Sequence, residues 1–187
     1  LRLADECRPQ ALMLENVRGL LDPRFQDYRT SILDTLHKLG YTAQWQLLHA
    51  SDFGVPQLRP RSILVALSKP LVPYFRWPQP GMVTAPTVGN TLHDLMAERG
   101  WMGVAHWRTQ ADTIGPTLVG GSKKHGGPDL GPTRARAAWA ALGVDGKGLA
   151  DQAPDPDFVG MPRLTVRMAA RIQGFPDSWQ FAGKKTS

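Results

Sequence analysis

The chain has 187 residues, of which 42% are hydrophobic, and carries 22 Lys and Arg against 16 Asp and Glu, for a formal charge of +6 and a pI near 9.8. This length suits one domain with a core, or one domain plus a small appendage, and the basic balance weakly favours a polyanionic partner such as nucleic acid. The absence of a long apolar run and of a signal-type segment predicts a soluble intracellular protein, while the single cysteine excludes a disulfide framework or a multicysteine zinc site.

The first part of the chain begins with a helical pattern over residues 1–7 and an apolar run over residues 11–14 that ends in Glu15. Strands buried in a parallel sheet read as continuous apolar runs, and ligands in such folds lie beyond the carboxyl ends of the strands. Glu15 therefore stands where a reactive group would stand. The alternative is an exposed acid at a strand end.

Three further elements follow. Apolar residues at helical spacing predict a covering helix over residues 25–39, ended by Gly40, and the alternation over residues 41–47 predicts a half-buried strand. Residues 62–67 are again continuously apolar and predict another strand. Up to about residue 68 the chain is therefore expected to be α/β, in the order helix, strand, helix, strand, strand.

A second region begins at Lys69, where prolines punctuate short segments and periodicity disappears. Residues 91–99 predict a short helix with Asn90 or Thr91 as its N-cap, and residues 135–142 predict another. Between them, residues 117–128 form a glycine-rich basic segment. A loop of this length in a compact protein is usually functional or disordered.

The last predicted element is a helix with Thr165 as its N-cap, stopped by Gly174 and Pro176. Its apolar positions face one way, so we expect this helix to pack against the rest of the chain. These positions are Val166, Ala169, Ala170 and Ile172.

Four motifs stand in a fixed order along the chain. They are Glu15-Asn-Val17, Gln57-Leu-Arg59-Pro-Arg61, the glycine-rich basic segment, and Arg163-Leu-Thr165-Val-Arg167 leading into Gln173-Gly-Phe-Pro176. In this order they resemble the C-terminal half of the DNA cytosine-5 methyltransferases, particularly the bacterial restriction-modification type. That family shows an ENV tripeptide, a Q-x-R-x-R element, a variable target-recognition region, and an R-x-L-T-x-R-E helix followed by Q-G-F-P. The resemblance covers nearly the whole chain.

The resemblance implies an α/β fold that is part of a Rossmann-like, S-adenosylmethionine-dependent methyltransferase domain, with an irregular, smaller target-recognition domain. On this basis residues 1–68 are expected to be the C-terminal part of the catalytic domain. Residues 69–187, including the 163–176 helix motif, are expected to form the DNA-binding domain.

The resemblance also implies roles for three residues. These enzymes add a cysteine thiolate to C6 of cytosine so that C5 can take a methyl group from S-adenosylmethionine. Glu15 matches the carboxyl group at the N3 edge of the base, in a site that must be largely dry. Arg61 matches the guanidinium at O2, with Arg59 bracing the pocket or a phosphate. The alternative for both arginines is a surface ion pair.

Such an enzyme flips its target base out of duplex DNA, at a cost that contacts elsewhere on the duplex must offset. For these contacts we expect Lys123, Lys124, Arg134 and Arg136 at phosphates, and Ser122 and His125 in the grooves. We also expect Gln57, Arg163 and Thr165 to belong to the DNA-binding site. Gln57 is expected to shape a loop there rather than to take part in the chemistry. The alternative for each basic residue is a solvated surface charge.

The chain also departs from the family pattern. The catalytic Pro-Cys-Gln loop and the glycine-rich cofactor loop are absent, and Cys7 is expected to be a buried, small apolar residue rather than the nucleophile. We therefore expect a fragment of a longer, cytoplasmic, prokaryotic enzyme, monomeric when complete. Alone it should bind no cofactor, methylate nothing and be marginally stable or self-associating, because an uncovered sheet face and edge invite association.

Met168 is a further departure, since the family usually has glutamate there. The reciprocal bond of the capping box is then expected to be lost, with the Thr165 cap retained. The five histidines lack metal-ligand spacing, which predicts no structural zinc.

Two alternatives to the DNA methyltransferase fragment stay open. One is a non-catalytic DNA-binding or accessory chain on the same scaffold. The other is the tRNA-methylating branch of the family, which the missing Cys-Phe-Thr element and the long basic segment disfavour.

Overall fold

The computed structural model describes residues 1–81, 84–120 and 129–183. The chain divides into two compact units: unit 1 comprises Leu1–His49 and Pro60–Pro80, and unit 2 comprises Ala50–Arg59 and Gly81–Ser187. The segment between the second and third strands thus belongs to unit 2. The functional domain boundary at residue 68 stays a prediction.

Unit 1 has the order of elements expected from its hydrophobic pattern. Helix α1 spans Arg2–Cys7, strand β1 Ala11–Val17, helix α2 Gln26–Lys38, strand β2 Tyr41–His49 and strand β3 Pro60–Ser68. Two 3-10 turns, Arg18–Leu21 and Pro23–Phe25, connect β1 to α2, and a third covers Lys69–Tyr74.

The three strands form one sheet in the order β1-β3-β2, with both neighbouring pairs antiparallel. Successive residues of a strand point to opposite faces, so β3 places Leu64 and Ala66 on one face and Ile63 and Arg61 on the other. Helix α2 covers the first face, where Ile32, Leu36, Tyr41, Leu64 and Ala66 form the core of unit 1.

Strand β1 is mostly exposed in this structure, so the prediction that its apolar run is buried was wrong. Among the described residues β1 pairs only with β3, and no helix covers the face that carries Met13, Glu15 and Val17. Cys7 is exposed as well, which corrects its expected burial: helix α1 contains no buried residue.

The described residues of unit 2 form four short helices, α3 Val88–Ala97, α4 Val104–Gln110, α5 Thr133–Ala141 and α6 Val166–Ile172. They pack around an apolar core that contains Leu92, Met96, Trp107, Trp139, Leu164, Met168 and Ile172. Helix α3 begins earlier than predicted because the Thr87 hydroxyl accepts a hydrogen bond from the Asn90 N–H, 3.3 Å away, and so forms the N-cap. Helix α4 was not predicted: its N-cap is Gly103, which has no side chain to make a capping bond, whereas the equally short helix α6 has Thr165. None of the described helices is long and apolar enough to cross a bilayer.

Helix α6 confirms the Thr165 cap and corrects the expectation for Met168. The Thr165 hydroxyl accepts from the Met168 N–H at 3.2 Å, and the Thr165 N–H donates to the Met168 sulfur at 3.4 Å. The reciprocal bond is therefore present, with a thioether as a weak acceptor in place of a carboxylate. Met168 is 1% exposed and belongs to the core.

Candidate functional site

Glu15 and Arg61 form an ion pair between neighbouring strands, with Arg61 Nε in contact with Glu15 Oε1. The direct partner of Arg61 in the ladder is Val17, so Glu15 lies two residues back along β1 on the same sheet face. Their side chains are 21% exposed for Arg61 and 49% for Glu15. A carboxylate and a guanidinium thus stand side by side on the uncovered face of unit 1, open to a planar ligand that carries both donors and acceptors.

The turn after Glu15 is held by Ser62, which sequence reasoning missed. Ser62 is fully buried, and its hydroxyl lies 3.0 Å from the carbonyl oxygen of Val17 and 3.2 Å from that of Asn16. The Asn16 side-chain oxygen accepts the Val17 N–H at 2.8 Å. The signal that could have found it is a hydroxyl directly before the apolar run of residues 63–67, since a buried polar group needs partners.

Arg59 lies in unit 2, at the end of the loop that joins β2 to β3. Its φ is +27°, in the left-handed region that an arginine rarely adopts, and the following residue is Pro60, which restricts the backbone of Arg59 further. The Arg59 carbonyl accepts the Ala50 N–H at 3.4 Å. A strained conformation of this kind persists only where surrounding bonds hold it, and it is common at functional sites.

Gln57 is fully buried in unit 2 and is not accessible to DNA in this structure. Its side-chain oxygen accepts the Leu118 N–H at 2.9 Å, and its amide nitrogen donates to the Ile172 carbonyl at 3.4 Å. Both ends of the amide are thus satisfied by main-chain groups.

Arg163 is half exposed and paired with Asp145, its Nε donating to Asp145 Oδ2 at 2.9 Å. Burial pushes the pKa of Asp145 upward, but the hydrogen bonds from Arg163 and from the Lys147 N–H outweigh it and hold this pKa below its ordinary value. Arg163 would therefore have to leave or share Asp145 to contact a phosphate.

The two arginines of helix α5 differ in their surroundings. Arg134 is exposed, whereas Arg136 donates to the Thr133 hydroxyl at 3.3 Å and lies 3.9 Å from the Asp129 carboxylate. Arg134 is thus the freer of the two for a new anionic partner. The other predicted contacts of this region, Ser122, Lys123, Lys124 and His125, lie outside the described residues.

Arg171 on helix α6 holds three segments of unit 2 together, and sequence reasoning did not single it out. It contacts Asp94 and Asp177, each at 2.5 Å, and donates to the Thr91 carbonyl at 3.0 Å. The hydrogen bond from Arg171 is the main reason that the pKa values of both aspartates are lowered. The segment after α6 is therefore tied to helix α3.

The comparison with protein families shows to which family the chain belongs. The model of the C-5 cytosine-specific DNA methylases matches residues 1–129 and 132–187. The chain belongs to this family. The methylase motifs recognised in the sequence, and the α/β fold they imply, are thereby confirmed.

Two curated relatives of this methylase chain are bacterial modification enzymes. The Type II methyltransferase M.NaeI of Lentzea aerocolonigenes is 61% identical over 188 residues, which are 99% of this chain and 45% of the relative. The Type II methyltransferase M.NgoMIV of Neisseria gonorrhoeae is 50% identical, over all of this chain and 60% of the relative. The chain therefore spans about half the length of the curated relatives it matches.

Among solved structures, the S. pombe Dnmt2 methyltransferase aligns over 95% of this chain and 59% of its own, at 17% identity and a TM-score of 0.47.

Strand β1 ends at Val17 and is followed directly by the 3-10 turn Arg18–Leu21. Within residues 1–81, 84–120 and 129–183 no group of three or more His, Cys, Asp or Glu side chains could hold a metal ion.

Proposed function

We propose that this chain is the carboxyl-terminal part of a DNA cytosine-5 methyltransferase and supplies half of its base pocket together with its sequence-recognition region. The observation that supports the proposal is the ion pair between Glu15 and Arg61, which brings residues of the ENV and Q-x-R-x-R motifs together on one face of the sheet. In this proposal the two side chains are more than a surface ion pair: they bind the edge of a flipped cytosine and already lie side by side before the base arrives.

The two side chains match the edge of the base chemically. A carboxyl group can interact with N3 and the neighbouring amino group, while a guanidinium donates to O2. Both interactions strengthen as charge develops on the ring after a thiolate from another part of the enzyme adds to C6. Glu15 and Arg61 thus lower the barrier to that addition, and Arg59 braces the pocket or a phosphate.

Half exposure of Glu15 weakens these interactions, because water competes for both groups and screens their charges. Covering the face that carries Met13 and Val17 would exclude water from the pocket and strengthen the interactions of both side chains with the base. We assign that cover, and the partner for the open edge of β1, to residues of the enzyme outside this chain.

S-adenosylmethionine would supply the methyl group, held by residues outside this chain, and the chain alone is proposed to neither bind it nor methylate DNA. Duplex DNA is the partner of unit 2 in this proposal. Lys123, Lys124, Arg134 and Arg136 contact phosphates and set the register, while Ser122 and His125 reach the grooves. The complete enzyme is proposed to act as a monomer in the bacterial cytoplasm.

A second candidate is a non-catalytic, DNA-binding chain on the same scaffold. The exposed arginine of helix α5 and the basic balance of the chain would serve either function. The coding sequence that adjoins this chain discriminates between them: a Pro-Cys-Gln loop and a glycine-rich loop support the enzyme, and an unrelated sequence supports the accessory chain.

The decisive experiment is methylation of a defined-sequence DNA library by the complete gene product, read by bisulfite sequencing. We expect one cytosine within one short sequence to resist bisulfite conversion, and only when S-adenosylmethionine was present in the reaction. Binding of duplex DNA without any protected cytosine, by a gene product that carries a Pro-Cys-Gln loop, would overturn the enzymatic assignment.

A further inference from the structure

The buried amide of Gln57 lies where three main-chain segments of unit 2 meet. Its oxygen accepts from Leu118 and its nitrogen donates to Ile172, at the end of helix α6. The segment around it pairs directly with Gly115, since the Leu58 N–H donates to the Gly115 carbonyl at 2.9 Å and the Gly115 N–H donates to the Pro56 carbonyl at 3.1 Å.

These segments approach so closely that a side chain at position 115 would be crowded. A Cβ atom there would lie 3.0 Å from the Pro56 carbonyl oxygen and 3.0 Å from a methyl group of Val88. The 56–58 segment is thus held from one side by this main-chain contact and from within by the Gln57 amide. Two residues later the chain adopts the strained conformation of Arg59.

Resting on the proposed function, we infer that Gln57 is a positioning residue that couples base capture to sequence recognition. It fixes the loop that presents Arg59 and, through the same amide, the main chain at Leu118, near the start of the glycine-rich basic segment. A shift of either segment breaks a buried hydrogen bond, so each holds the other in register. Gln57 touches no reacting atom.

Glutamine suits this position because it offers a donor and an acceptor on one planar group, and the two main-chain groups need one of each. Methionine has a similar shape but neither strong bond. Glutamate keeps the acceptor for Leu118 and can donate to Ile172 only while its carboxyl group is protonated. Gln57→Met therefore removes the hydrogen bonds to both Leu118 and Ile172, whereas Gln57→Glu with an ionised carboxyl group removes only the bond to Ile172.

The test compares Gln57→Met, Gln57→Glu and wild type in the complete gene product, with the rate of methylation measured at the preferred site and at sites changed by one base pair. We expect Gln57→Met to lower the ratio of these rates about tenfold, because the recognition segment no longer sets the geometry of the Arg59 loop. The matched control is Gln110→Met, which removes an exposed amide that donates to the Ala141 carbonyl at 3.5 Å.

A purely structural residue would give a different pattern. Partial unfolding removes active molecules, so all sites slow by one common factor and the ratio between sites stays at the wild-type value; that result would overturn the inference. In Gln57→Glu we expect the ratio to recover as pH falls from about 8 to about 6, since burial favours the protonated carboxyl that can donate to Ile172. No recovery would count against the Ile172 link. A wild-type enzyme that methylates no site would refute the proposed function itself, whatever the variants do.

Discussion

Arg61 faces Val17 in the strand ladder, yet its guanidinium contacts Glu15, two residues away on the same face. This diagonal pairing leaves the carboxylate of Glu15 and the guanidinium of Arg61 side by side at the end of β1 rather than stacked across it. Ser62 holds the adjoining turn from the opposite face of the sheet. On one face of the strand pair Ser62 holds the backbone of β1, and on the other face Glu15 and Arg61 carry the charges.

Replacing Glu15 by glutamine should abolish most methylation by the complete gene product while DNA binding stays near the wild-type level. The amide keeps the shape of the carboxyl group but cannot hold a proton or a negative charge at the base. We expect the single-turnover rate to fall roughly a hundredfold or more. The control is Glu98→Gln, which makes the same change at an exposed position of unit 2. Equal rates for Glu15→Gln and wild type would exclude a role for this carboxyl group in catalysis.

Met168→Glu should destabilise unit 2, although it restores the family's usual residue. Met168 is 1% exposed within the apolar core, so a carboxylate there loses its hydration and a packed thioether is removed. We expect the free energy of unfolding to fall by about 2–4 kcal/mol in chemical denaturation of the complete gene product. Met102→Glu is the matched control, because Met102 is largely exposed. A rise in stability for Met168→Glu would mean that the capping bond matters more than the core packing.

The Arg171 network predicts a loss of stability in acid. The folded-state pKa values of Asp94 and Asp177 lie below the ordinary value of 3.8, so the unfolded chain binds more protons in the window between the folded and unfolded values. The contribution of these aspartates is therefore fully present above about pH 5 and is lost as pH falls through their folded values.

Asp177→Asn tests this dependence. We expect the variant to show a shallower fall of unfolding free energy below about pH 4 than wild type, since one of the two linked groups no longer titrates. Asp157→Asn changes an exposed aspartate of the same unit and serves as the control. An acid slope unchanged in Asp177→Asn would show that the ion pair contributes nothing to folding.

The basic residues assigned to phosphates predict the salt dependence of DNA binding. Replacing Lys123, Lys124, Arg134 and Arg136 by alanine should flatten the slope of log affinity against log salt by about 0.9 for each phosphate that the variant no longer neutralises. Arg134 should account for more of the change than Arg136, which already has partners within its own unit. Arg2→Ala, which removes an arginine paired with Glu6 in helix α1, is the control. An unchanged slope in the fourfold variant would remove these residues from the interface.

The hydrophobic pattern of the sequence was sufficient to predict most of the helices and strands of unit 1, and also the last helix of unit 2. The apolar run before Glu15, the alternation after Gly40 and the cap at Thr165 each correspond to an element with close to the expected bounds. Local spacing determines these features because a strand or a helix repeats every two or 3.6 residues. The pattern did not predict helix α4, which has one buried residue, Trp107, and no side-chain cap, whereas helix α6 has three buried residues and the Thr165 cap.

By itself the sequence determined the family, through four motifs in a fixed order, and with it the candidate roles of Glu15, Arg59 and Arg61. Only the tertiary structure decided what each side chain touches: that Arg61 pairs with Glu15, that Met168 lies in the core, and that Gln57 is buried between main-chain segments instead of facing solvent. The reason is physical. Motif and periodicity are properties of neighbours along the chain, whereas burial and hydrogen bonding depend on residues as far apart in sequence as Gln57 and Ile172, which meet only when the chain has folded.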